Sequence, residues 1–78
     1  MNLQHDFEVE ANKVKIGTII TINAWGNFDT KTIECIGFEY SDWHKESLFV
    51  FDNGYKFSKL TLCQNLALWN NRNGYKIS

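Results

Sequence analysis

Asn53-Gly54 lies between two apolar runs, Leu48-Phe49-Val50-Phe51 and Tyr55-Lys56-Phe57. Asn and Gly both accept the positive φ that a type I′ turn needs at its two central positions, and the twist of that turn matches the strands it joins. The pattern predicts a two-residue β-hairpin over 48–60. Such a turn fixes the register, with Phe51 opposite Lys56, Val50 opposite Phe57 and Phe49 opposite Ser58. One face then carries Leu48, Val50, Tyr55 and Phe57. The other carries Phe49, Phe51, Lys56, Ser58 and Leu60. Both faces are too apolar for a two-stranded ribbon left in water, so the rest of the chain must cover at least one.

The rest is short. With 78 residues, 44% hydrophobic and 15% aromatic, the chain reads as one domain over 1–78, able to pack a core but burying only ~60% of its unfolded surface. No apolar run is long enough to cross a membrane. The opening Met1-Asn2-Leu3-Gln4-His5-Asp6 has neither the basic nor the apolar region of an export signal, which predicts a cytoplasmic protein. In that setting Cys35 and Cys63 are expected as reduced, buried thiols, with a disulfide as the alternative.

Strand signals recur along the chain. Ile16-Gly17-Thr18-Ile19-Ile20-Thr21-Ile22 is dense in β-branched residues, which suit a pleated surface. Asp6-Phe7-Glu8-Val9-Glu10-Ala11 alternates charged and apolar residues like an edge strand, while Leu3, Phe7, Ala11 and Val14 keep a helical spacing as the alternative. Over Lys31–Tyr40, Ile33 and Cys35 share a face that Phe38 and Tyr40 join only if one residue is looped out, and Gly37 marks the expected bulge. Leu62, Leu66 and Trp69 lie at i, i+4 and i+7, with Thr61 as a possible N-cap. Asn73-Gly74 repeats the hairpin signal, so the expected ending is a helical turn near 59–64 followed by a final hairpin.

Lys13-Val14-Lys15-Ile16-Gly17-Thr18-Ile19-Ile20 resembles the first strand of many SH3-like barrels. Evenly spaced strands with short turns and almost no room for a long helix make the expected fold all-β, or β-rich α+β: a small antiparallel SH3-like barrel or strongly curled sheet of five to six strands, with at most a short helical turn.

Chemistry is sparse in this pattern. His5 and His44 have no evident partner for acid–base work, and both thiols fall on predicted strand interiors, where a thiolate is disfavoured. Cysteine and histidine spacing fits no metal site. The glycines form no phosphate cradle. No catalysis, metal or cofactor is expected. What remains is aromatic surface: loops bearing Trp25, Phe28, Trp43 and Tyr55 predict docking on a protein partner, with Trp25, Phe28 and Tyr55 meeting at one end of the barrel and Trp43 at the other. A regulator or stoichiometric inhibitor of phage or mobile-element type, monomeric or homodimeric, is the leading expectation.

Charge supplies two alternatives. Residues 1–52 hold all nine acids and four bases, and residues 53–78 hold four bases and no acid. Lys56, Lys59, Arg72 and Lys76, with nearby aromatics, fit a nucleic-acid-binding face of charge and stacking. Conversely, Asp6, Glu8, Glu10, Glu34, Glu39 and Asp42 fit an acidic mimic of nucleic acid. Strand interleaving that cancels both fields is the simpler expectation.

Overall fold

The computed structural model describes residues 3–78, and side chains from Phe7 onward. The elements run α1 (Leu3–Ala11), β1 (Ile19–Ile22), β2 (Lys31–Ser41), β3 (Glu46–Phe51), β4 (Lys56–Phe57), α2 (Lys59–Arg72) and β5 (Tyr75–Ile77). The strands form one antiparallel sheet in the order β4-β3-β2-β1-β5. The fold is α+β. It is not the expected barrel or curled sheet: the sheet is open, with β4 and β5 as its edges, and its helical content far exceeds a short turn.

The physical reason lies in how the core is closed. Ile20 and Ile22 of β1, Ile33 and Cys35 of β2, and Phe51 of β3 are almost wholly buried on one face. Leu62, Cys63, Leu66 and Trp69 of α2, with Ala11 at the end of α1 and Val14 just beyond it, cover that face. Once two helices seal the core, the sheet has no need to curl and seal itself.

α2 replaces the expected final hairpin. Its buried stripe keeps the 3.6-residue period, and Ser58, not Thr61, is the N-cap. The Thr61 N–H donates to Ser58 Oγ at 3.1 Å, and the Lys59 N–H donates to Glu46 Oε1 at 3.1 Å, so two of the first-turn donors are satisfied. At the far end the N–H groups of Asn73 and Gly74 both donate to the Trp69 carbonyl, with Gly74 at φ 91°. A left-handed glycine serves a helix C-terminus as well as a hairpin turn, and the sequence signal is the same for both.

The N-terminal segment is also helix where an edge strand was expected. Ala11 and Val14 are buried and Phe7 packs against the core, while Val9, which only the strand pattern would bury, is half exposed.

The Asn53-Gly54 hairpin forms, but with a different turn. The Gly54 N–H donates to the Phe51 carbonyl at 3.0 Å and Gly54 has φ 92°, whereas Asn53 is not left-handed. This is a type I turn followed by a left-handed glycine, the three-residue hairpin loop. The register becomes Val50 opposite Lys56 and Phe49 opposite Phe57. One step of slip turns Phe57 inward beside Phe49 and Phe51 and sends Lys56 outward. The expected bulge in β2 is present, between Cys35 and Gly37, and it bends an open sheet instead of a barrel corner.

Candidate functional site

β2 is eleven residues long and β1 only four. Their pairing ends at Ile19 opposite Glu34, after which Gly17 and Thr18 bond to Cys35. Gly17, at φ 95°, then turns the chain off the sheet. From Ile36 onward no strand among the described residues lies on that side of β2. On the other side of the hairpin, β4 pairs only with Phe49 and Val50. Residues 37–48 therefore form a two-stranded ribbon standing clear of the sheet.

The direction of the ribbon's backbone groups follows from antiparallel alternation. The Phe51 N–H donates to Tyr55 O at 2.8 Å, so Phe51 and Phe49 direct their backbone groups to β4, and Val50 and Leu48 direct theirs to β2. Their β2 partners are Gly37 and Glu39. The N–H and C=O groups of Phe38 and Tyr40 consequently point out of the sheet along its bare edge.

The same two residues carry side chains on the helix side of the ribbon, beyond the reach of α2. Phe38 pairs with Phe49 at 5.3 Å between ring centroids and is 48% exposed, and Tyr40 is 61% exposed. At the tip, Ser41 Oγ accepts the His44 N–H at 3.2 Å and Lys45 turns left-handed at φ 57°, which leaves Trp43 90% exposed. Phe38 and Tyr40 make an aromatic ledge along the bare edge, and Trp43 stands exposed in the turn at its tip.

Of the four sequence-predicted docking residues, only Trp43 lies on this ribbon. Trp25 and Phe28 meet, their rings stacked at 5.4 Å, but they are half-buried in the β1–β2 loop and flanked by Arg72 over Trp25 and Lys31 over Phe28. Tyr55 packs on Phe57 near the β4 edge, while Trp25 lies against the end of α2. The expected patch of Trp25, Phe28 and Tyr55 is not assembled. Phe38 and Tyr40 were missed, although the Gly37 bulge put both on the core-facing side. The missing signal was length, because no neighbour in the sequence is long enough to cover the second half of β2.

The basic set does not converge. Lys56 bonds Glu39 at 2.6 Å and Lys59 reaches Glu8 at 3.5 Å, while Arg72 caps Trp25. Lys76 sits on β5, four strand steps or ~19 Å from β4 and Lys56. The same pairs engage Glu8 and Glu39 of the acidic set, and Glu10 pairs with Lys13 at 2.8 Å. His5 and Asp6 lie on α1, their side chains outside the described residues. Cys35 and Cys63 are free and buried, and burial pushes both thiols up. Among the described residues no three His, Cys, Asp or Glu side chains gather as metal ligands, and no helix is long and apolar enough to cross a membrane.

No protein-family model matches the chain, and no curated protein or solved structure is significantly similar to it.

Proposed function

We propose that this chain is a non-enzymatic protein-interaction module that takes up an extended segment of protein along the bare edge of β2. The observation that carries the reading is the coincidence of outward backbone groups and exposed aromatic rings at Phe38 and Tyr40. An unpaired strand edge is a template for another strand, and proteins that avoid such pairing place lysine, proline or a covering loop there. Here those positions hold large rings. Main-chain bonds to an added strand would give affinity, and Phe38, Tyr40 and Trp43 would select its side chains. Such a module acts by occupying its partner, as a regulator or stoichiometric inhibitor does.

A photoreactive phenylalanine derivative placed at Tyr40, at Trp43 and, as a control, at Leu68 on α2 tests this in the native host. Covalent protein adducts are expected from the two ribbon positions and not from Leu68. Adducts confined to Leu68, or none from the ribbon, would overturn the reading.

A further inference from the structure

Gly37 follows the bulge in β2, and the monomer has room there for a larger side chain. Its φ is not positive, and a Cβ built on it would meet nothing within 4 Å. Glycine inside a strand sacrifices conformational entropy and packing, and besides bulges it marks places that another chain approaches closely. Gly37 lies on the bare edge, beside Ile36, itself 54% exposed.

We infer that the strand taken up by this edge is the same ribbon of a second copy, forming a two-fold dimer in which Trp43 of each copy covers Gly37 of the other. The inference rests on the strand-addition reading above and names its occupant. Only Phe38 and Tyr40 direct backbone groups outward, so a two-fold antiparallel pairing has three registers. Setting Phe38 opposite Phe38 drives the ribbon tip into β1 and Gly17, which already hold the edge at Glu34 and Cys35. Setting Phe38 opposite Tyr40 places Glu39 directly against Glu39, a destabilising like-charge pair. Setting Tyr40 opposite Tyr40 avoids both faults. Glu39 then faces Ser41 of the second copy, the tip stops short of β1, and Trp43 arrives at the level of Gly37.

That register brings the most exposed large apolar side chain among the described residues to the open strand glycine beside the bulge. The exposed parts of Ile36, Phe38, Tyr40 and Trp43 offer on the order of 500 Å² per copy on the usual scale of ring burial. With the backbone of the paired strands, full burial of these parts in both copies would reach the ~1,200 Å² at which specific interfaces begin.

Sedimentation velocity from low to high micromolar concentration is the test, with hydrogen exchange read at the Phe38 and Tyr40 amides. The expected result is a concentration-dependent dimer in which those two amides slow as the dimer forms. Trp43→Ala and Gly37→Val should each weaken dimerisation by tenfold or more without lowering the melting temperature of the monomer. A wild-type chain that stays monomeric, or variants that dimerise like wild type, would overturn the dimer. In the monomeric case, adducts from Tyr40 to a different protein would leave the strand-addition reading standing. If a variant fails to fold, the wild-type amide exchange alone decides.

Discussion

Trp25 is held by contacts that leave little of it for a partner. Phe28 stacks on the ring, and the Arg72 guanidinium lies 4.8 Å from its centroid. Its Nε1 is buried without a hydrogen-bond partner, so the indole is retained for packing. Trp25→Ala should cost about 2 kcal/mol in urea unfolding, the sum expected for a stacked pair and a cation–π contact. Trp43→Ala, at a fully wetted tip, should stay within about 0.5 kcal/mol of wild type. The sequence set these two tryptophans apart only by their neighbours: Asp42, His44, Lys45 and Glu46 favoured an exposed Trp43, whereas Trp25 stood balanced between a rim contact and a lid over the core. Their three-dimensional contacts complete the distinction.

Titration at the residue scale points to alkaline sensitivity. Burial raises the thiols of Cys35 and Cys63 above their ordinary value of 9.0. Tyr75, desolvated and donating to Glu10 Oε1 at 3.2 Å, is raised well above 10.0. For all three the folded state holds its proton more tightly than the unfolded chain does. Their contribution is complete below the unfolded values and is lost as pH climbs through 9.0 and then 10.0 towards the folded ones. Melting temperature should therefore fall on going from neutral pH to above pH ~10, and Tyr75→Phe should flatten the later part of that fall. A melting temperature unchanged across that range would refute it. Glu10 acts in the opposite direction: the Lys13 ammonium lowers it, so its contribution is lost as pH falls.

Among the elements, α2 best shows what was readable and what was not. Leu62, Leu66 and Trp69 announced a helical stripe, and all three are buried. The stop was misjudged because Asn73-Gly74 asks for the same left-handed glycine in a hairpin and in a helix C-terminus. The start was displaced to Ser58, whose hydroxyl is placed by tertiary structure: the strand before it is only two residues long and delivers it straight to the helix. Ser58→Ala should destabilise the protein by about 1 kcal/mol, measured by chemical denaturation, by removing that cap. α1 misled in another way. Its charges alternate like those of a strand, but a helix buries Phe7 and Ala11 together against α2 and leaves Val9 in water, which is the cheaper arrangement once α2 exists.

For β3 and β4, sequence indicated a reversal at residues 53 and 54 and the structure has one. The turn type was not readable, since Asn-Gly serves both the two-residue loop and the three-residue loop with a final left-handed glycine. What chose between them was burial. The observed register puts Phe49, Phe51 and Phe57 on one side, with Phe57 against Trp69 at 6.4 Å. The alternative would have buried Lys56.

Over the whole molecule, two contacts cross the charge divide of the sequence, as Glu8 meets Lys59 and Glu39 meets Lys56. Surface pairs of this kind contribute little stability, but they engage two of the four bases of residues 53–78. The candidate site was legible only in part. Trp43 was visible by its polar neighbours, whereas Phe38 and Tyr40 have the inward alternation of core residues, and only the extent of the sheet reveals that nothing is packed above them.

Gly17 decides that extent. By leaving the sheet beside Cys35 it ends β1 early, and the remaining length of β2 is surrendered to whatever arrives from outside. Had residues 12–17 run straight on, the same chain would have sewn its own hem and become a sturdier, self-sufficient fold with nothing to offer. The vulnerability of that seam and its usefulness are one property, set by a single kink in the backbone.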